Sequence, residues 1–127
     1  MTTVTDDGLE WQGDRAISDV PKIDTIALGT GQNEENGASQ LGDEVHRTDV
    51  NNSNVELLET GDLGEFEVVI RVKGGTEVPP NTEISEIGVL AGGSDGGGTL
   101  VIIDEFAGVQ VEDGHTEEFT IPVDPSR

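Results

Sequence analysis

Apolar and polar residues alternate along several short segments of this chain. The clearest is 65–73, where Phe66, Val68, Ile70 and Val72 fall on one side of an extended backbone and most intervening residues are charged. A period of two is typical of a strand with one face in a core and the other towards solvent. Further extended segments are predicted at 22–28, from 45 onwards, and at 55–58, 83–91, 99–106, 109–111 and 118–123.

Turn-forming residues separate these segments. The longest glycine-rich stretch, 92–98, lies between two predicted strands, which favours a hairpin of antiparallel strands. Helix is nearly absent from the pattern, with one helical turn predicted at 41–44. Other turns are predicted at 29–31, 51–54, 74–75, 79–81 and 113–114.

Seven or eight short strands with glycine-rich turns predict an all-β fold, an antiparallel sandwich of the jelly-roll-like kind. We assign the sandwich to residues 22–127 and an N-terminal arm or edge strand to residues 1–21. Trp11 is the only Trp and the expected anchor of this arm. A Trp can bury its ring against its own domain or dock on a neighbouring subunit, and the sequence leaves both open.

The chain is strongly acidic, with 27 Asp and Glu residues but only six Lys and Arg, so its formal net charge is -21. Lysine occurs only at Lys22 and Lys73. A high charge with 32% hydrophobic residues is also a feature of disordered chains, but here the apolar residues are clustered into strands. At molar salt the Debye length falls to about 3 Å, so repulsion is screened. We therefore interpret the chain as a folded domain suited to concentrated salt.

Several classes of protein are disfavoured by composition. The chain has no Cys, so it has neither disulfides nor thiolate metal sites. Its polar, acidic start lacks the pattern of a signal peptide, and no apolar stretch reaches a membrane-spanning length. The sparse, dispersed Lys and Arg argue against nucleic acid as a partner. We expect no nucleic-acid and no membrane partner.

Short matches to reactive motifs are better explained as turns. Gly92-Gly93-Ser94-Asp95-Gly96, with Asp104 and His115 later in the chain, has the order of an α/β-hydrolase triad. A nucleophile elbow leads from a strand into a helix, whereas this string leads through glycines into another strand. Gly29-Thr30-Gly31 likewise lacks the third glycine or the lysine of a phosphate loop.

The two histidines have acidic neighbours, but nothing in the sequence brings them together, and no calcium-loop motif is present. Most acids are interpreted as hydrated surface groups. We expect no catalytic residue, no cofactor and no metal ligand.

Glu86 differs from the other acids, because it lies between Ile84 and Ile87 in an otherwise apolar segment. A buried, unpaired carboxylate is costly, so it should have a cationic partner. We predict an ion pair between Glu86 and Arg47, and we expect Arg47→Met to destabilise the fold strongly.

A resemblance to a known group of proteins rests on four strings. They are Ile26-Ala27-Leu28-Gly29-Thr30-Gly31, then Leu41, Glu44 and Arg47, then Ile84-Ser85-Glu86-Ile87-Gly88-Val89-Leu90, and Gly98-Thr99-Leu100. Together they resemble a pattern in small β-rich virion proteins of tailed viruses, which occur as head-fibre, capsid-decoration or turret, and tail-fibre components. The resemblance covers about residues 23–123. With the acidity, it implies a tailed virus of a halophilic archaeon, in which Glu44, Arg47 and Glu86 hold the fold together.

The expected function is that of a non-enzymatic structural protein of the virion, on the capsid surface or tail, with a role in host attachment. Its expected partners are itself, as a trimer or pentamer, and other virion proteins such as the major capsid protein. Trp11, Ile26 and Val69 are candidate interface residues. The alternatives are a halophilic cell-surface or carbohydrate-binding module, disfavoured by one Trp, three Phe and no Tyr, and a small hydrolase acting through Ser94.

Overall fold

The computed structural model describes residues 2–17, 22–32, 38–59, 66–93 and 97–123. In these ranges the chain forms eight strands and one helix. Their bounds are β1 Thr2–Val4, α1 Asp6–Ile17, β2 Ile23–Gly29, β3 Glu44–Asp49, β4 Val55–Glu59, β5 Phe66–Lys73, β6 Thr82–Ala91, β7 Thr99–Val111 and β8 Thr116–Val123.

Two antiparallel sheets make up the fold. The larger has five strands in the order β1-β7-β6-β2-β3, and the smaller has three in the order β4-β5-β8. Each neighbouring pair in both sheets is antiparallel. This arrangement confirms the predicted all-β, sandwich-like fold.

One apolar core lies between the sheets. The larger sheet contributes Ile26 and Leu28 from β2 and Ile87 and Val89 from β6, all fully buried. The smaller sheet contributes the alternating residues of β5 and β8. They are Val68, Ile70, Val72, Phe119, Ile121 and Val123. The period-two pattern therefore marked the inner face of the smaller sheet correctly.

The N-terminal region differs from the expectation of an arm with almost no helix. β1 does form an edge strand on β7, but α1 follows it for twelve residues. Thr5 caps this helix, because its Oγ1 accepts a hydrogen bond from the Gly8 N–H at 2.9 Å, and Asp6 and Asp7 lie in the first turn. Glycine in the helix weakened the helical pattern in the sequence.

Helix α1 packs against the sandwich of its own chain. Leu9 and Trp11 are partly buried against the main core. Gly8 lies so close to β7 that a Cβ there would overlap the Val101 carbonyl. Trp11 thus anchors α1 to its own chain, as the first of its two interpretations held. Among the described residues α1 is the one helix, and no helix there is long and apolar enough to cross a membrane.

Two smaller expectations were wrong. Residues 41–44 form no helical turn: the chain bends at Gly42 and Asp43, whose N–H groups bond to Glu86, and β3 begins at Glu44. The segments 99–106 and 109–111 are one continuous strand, β7, and β6 pairs with both of them.

Candidate functional site

The five-stranded sheet carries a second, smaller apolar cluster on the face that points away from the main core. Residues 38–43, which we name the cover segment, lie against this face. Their contribution to the cluster is Ala38 and Leu41, both buried. The sheet contributes Ala27, Leu90, Leu100 and Ile103. The larger sheet is thus covered on both faces, and its strands are correspondingly apolar.

A glycine makes room for the cover segment. A Cβ at Gly88 would lie 2.9 Å from methyl carbons of both Leu41 and Leu100. Carbon atoms at that distance repel each other, so any larger residue at 88 would push the Leu41 side chain away from the sheet. The position requires space, since its backbone conformation is not in the left-handed region.

Glu86 holds one end of the cover segment. Its side chain is fully buried, and its carboxylate accepts backbone N–H groups from both loops beside it. The N–H groups of Gly42 and Asp43 each donate at 2.8 Å, and that of Gly31 donates at 3.1 Å. Hydrogen bonds to a charged acceptor are stronger than neutral ones, so three of them offset much of the cost of burial. The carboxylate thereby joins the end of β2 to the start of β3.

The glycines of the 26–31 string fit this arrangement. Gly29 is the register partner of Glu86, and a Cβ there would overlap the Glu86 carboxylate. A Cβ at Gly31 would lie 2.7 Å from the Asp43 nitrogen. Close packing therefore explains both glycines. Ser85 adds a further link, because its hydroxyl donates to the Gly31 carbonyl at 2.7 Å.

Arg47 makes the second set of links at this site. Its Nη1 donates to the carbonyls of Gly93 and Gly97, at 2.8 and 2.7 Å, so it links β3 to the connection between β6 and β7. Its Nε and Nη2 donate to the two carboxylate oxygens of Glu44, at 2.9 and 2.6 Å. This two-pronged contact fixes the guanidinium plane.

The predicted ion pair between Arg47 and Glu86 is wrong, because each of the two side chains bonds to other groups. Both residues lie on the same face of the sheet, with register partners Ala27 and Gly29 two residues apart on β2. Their side chains nevertheless bond to different groups, Glu86 to backbone amides and Arg47 to Glu44 and two carbonyls. The expectation that Glu86 is interior was right, but the positive charge that it needs comes from amide dipoles of the backbone.

All four strings that carried the resemblance meet at this site. They supply the loop after β2, the cover segment with Glu44 and Arg47, the central part of β6 and the first residues of β7. A small cleft of about 140 Å³ remains between the cover segment and the sheet. Ligand pockets usually measure about 300–1,000 Å³, so this cleft suits packing better than binding. Its lining includes Gln40, Leu41, Arg47, Leu90 and Leu100.

The hydrolase candidate does not assemble within the described residues. Ser94 lies outside them. Asp104 is in the middle of β7, whereas exposed His115 lies beyond the end of that strand, 3.7 Å from Glu112. Seven residues of extended chain separate Asp104 from Val111, which is on the order of 20 Å. Asp104 and His115 are therefore too far apart to share a proton.

Metal binding also finds no support in the described ranges, where no group of three or more His, Asp or Glu could hold an ion. His46 lies on β3 and is half-buried. Burial lowers the pKa of His46 below its usual value, although the nearby carboxylates of Glu77 and Glu44 oppose this effect. We expect this imidazole to be neutral at neutral pH.

The structure corrects the interface candidates. Ile26 is fully buried in the main core, and Val69 is 3% exposed in the central strand of the smaller sheet, between its register partners Glu56 and Thr120. Neither can offer side-chain surface to a partner. Trp11 keeps part of its surface, with the rest packed on its own core.

The sequence pointed to Glu86 and Arg47 but not to their partners. It missed the cover segment altogether, although Gly88 between two apolar residues was a signal that another part of the chain approaches the sheet there. The site can hold three loops together, and its described residues present no reactive pair of groups. No family model, no curated protein and no solved structure matches this chain.

Proposed function

We propose that this chain is a non-enzymatic structural protein of a virion, a component of the capsid surface or tail of a tailed virus that infects halophilic archaea. The proposal rests on the structural role of the charged residues in the four strings that carry the resemblance. Every charged residue in them, Glu44, Arg47 and Glu86, has fold-holding partners, which is the role that the resemblance implies.

The distribution of charge supports the proposal. On β8 the inward residues Phe119, Ile121 and Val123 are buried, whereas Glu118, Thr120 and Pro122, which alternate with them, are exposed. Acids placed in this way keep a protein hydrated and dispersed in concentrated salt without disturbing the core. A particle that carries many copies of such a chain gains a hydrated, strongly anionic surface.

The mechanism is contact between surfaces, without chemistry. The sandwich supplies a rigid body, in which Glu86 holds the cover segment at Gly42 and Asp43, and Arg47 ties β3 to the connection between β6 and β7. The chain then binds copies of itself and other virion proteins, among them the major capsid protein, and takes part in attachment to the host.

Fractionation of particles tests this proposal. Lysates of haloarchaeal cultures that produce the chain are separated on density gradients in molar salt, and the chain is followed with an antibody. We expect it to band with the major capsid protein and with nuclease-protected DNA, and to stay bound after the particles are collected again. Recovery of the chain in the cell envelope, away from particles, would favour the cell-surface module and contradict the proposal.

A further inference from the structure

The four outer strands of the two sheets differ in how well they are protected from pairing with another chain. β1 has three residues, β8 contains Pro122, and β3 carries Glu44, Arg47 and Asp49. Short length, proline and charge are the usual means of blocking such edges. β4 has the sequence Val-Glu-Leu-Leu-Glu and shows 53% of Leu57 and 40% of Leu58 to solvent.

Two exposed large apolar residues lie on this edge strand. Within the described ranges the exposed large hydrophobic residues are Leu57, Leu58 and Val45 of β3. The short connection 50–54 joins β3 to β4, so both strands lie on one side of the sandwich. In a chain with a net charge of -21, two adjacent exposed leucines on a strand edge are unexpected unless something covers them.

The backbone of β4 determines which groups are available for pairing. The Arg71 N–H donates to the Asn54 carbonyl at 2.9 Å, so Asn54 and Arg71 form a hydrogen-bonded pair. Because such pairs alternate along antiparallel strands, Glu56 and Leu58 also face β5, while Val55, Leu57 and Glu59 direct their N–H and C=O groups outwards. The Val55 N–H agrees with this pattern, since it bonds to Asn52 and not to β5.

We propose that β4 pairs antiparallel with β4 of a second copy, about a two-fold axis at Leu57, to join two three-stranded sheets into one of six strands. In this register each Leu57 exchanges both backbone hydrogen bonds with its counterpart, and the two exposed leucine side chains cover each other. This inference rests on the edge strand and does not depend on a role in the virion.

Charge favours this antiparallel register over a parallel alignment. About an axis at Leu57, Glu56 of one copy lies opposite Leu58 of the other, so no two acids of β4 are directly opposed. A parallel alignment would place Glu56 against Glu56, which is destabilising. Glu56 is also paired within its own chain, with Arg71 at 3.2 Å. The edge is therefore complementary to itself.

The contact is small, which sets the expected strength. One pair of five-residue strands buries less than the roughly 1,200 Å² of a stable complex, so the dimer should be weak and should form at high protein concentration. Repulsion between two acidic chains should weaken it further at low salt.

A register-specific cross-link tests the proposal, because the chain has no Cys of its own. Leu57→Cys places two thiols opposite each other across the axis, within the distance that a disulfide spans. Leu58→Cys is the matched control, since its two thiols would be offset by two residues along the strands, beyond that distance. In molar salt we expect L57C to form a disulfide dimer several-fold faster than L58C. Equal rates, or faster cross-linking of L58C, would overturn the register.

Sedimentation of the unoxidised protein supplies the second measurement. The wild-type chain at millimolar concentration in molar salt should contain dimer, and Leu57→Lys should abolish it. Thr120→Lys adds the same charge to the exposed face of β8 in the same sheet and should leave the dimer fraction unchanged. A folded wild-type chain that stays monomeric, or a dimer that L57K does not affect, would contradict the proposal and would indicate that a different protein covers β4.

Discussion

The carboxylate of Glu86 is buried, yet its hydrogen bonds come from the backbone of Gly31, Gly42 and Asp43 and not from a cation. A buried charge is tolerated when it is paired or hydrogen-bonded, and the amides of the two loops supply these hydrogen bonds. A sequence shows that such a residue needs partners, but it does not show backbone groups that tertiary folding brings near.

Replacing Glu86 by Gln should lower the free energy of unfolding by about 2–3 kcal/mol, because the amide group of Gln would place a donor against an N–H donor of the loops. Chemical denaturation in molar salt measures this difference. Glu83→Gln is the matched control, since Glu83 is on the same strand but exposed, and it should change stability little. Equal effects of the two substitutions would contradict the assigned role.

His46 should make stability depend on pH. The usual pKa of a histidine is about 6.5, and burial lowers the pKa of His46 in the folded chain. Below about pH 6.5 the unfolded chain therefore binds more protons than the folded chain, and the fold is destabilised. The contribution is present above that pH and is lost as the pH falls towards the lowered pKa. Melting temperatures between pH 8 and 5 should therefore fall less in His46→Gln than in wild type, and exposed His115→Gln should behave as wild type does. Parallel curves for all three would exclude the effect.

At the scale of elements, hydrophobic alternation identified most strands. β5 and β6 lie within a residue of the predicted segments and β8 begins two residues earlier than predicted, because each of these strands has apolar residues in the core. The helix α1 and the cover segment were not predicted. Both are held by contacts to distant strands, α1 through Val101 and the cover segment through Glu86, and no local pattern contains those contacts.

Arg47 connects elements, so its replacement should act locally. Arg47→Met removes the links from β3 to the carbonyls of Gly93 and Gly97, and we expect a loss of about 1–3 kcal/mol in unfolding free energy. Hydrogen exchange should become faster in β3 near residue 47, at residues 92–93 and at the start of β7. Arg71→Met removes two solvent-accessible ion pairs on the smaller sheet, with Glu56 and Glu118, and is the control, with a smaller effect and none in those segments. A uniform change in exchange over the whole chain would argue against a local link.

For the whole molecule, the sequence predicted the class of fold and the predominance of surface acids. It could not predict how strands pair between sheets, because register and strand order depend on contacts far apart in the chain. Among the described residues, the acids are exposed or partly exposed, and Glu86 is the acid that is buried.

A net charge of -21 on a compact sandwich should make stability rise with ionic strength. We expect the melting temperature to increase steadily from millimolar to molar salt, to a similar extent in NaCl and KCl, because screening does not require a specific site. Replacing exposed Glu10, Glu83 and Glu112 by Gln should reduce this slope. A melting temperature independent of salt would refute the interpretation of the charge.

The contacts of Glu86 also have a consequence for the kinetics of folding. Its three hydrogen bonds join residues that are 55, 44 and 43 positions apart, so they can form only after β2, β6 and the cover segment have come together. Interactions that form late contribute little to the folding transition state and mainly slow unfolding. Glu86→Gln should therefore leave the refolding rate nearly unchanged and increase the unfolding rate. A single buried carboxylate would in this way set how long the folded chain persists once it has formed.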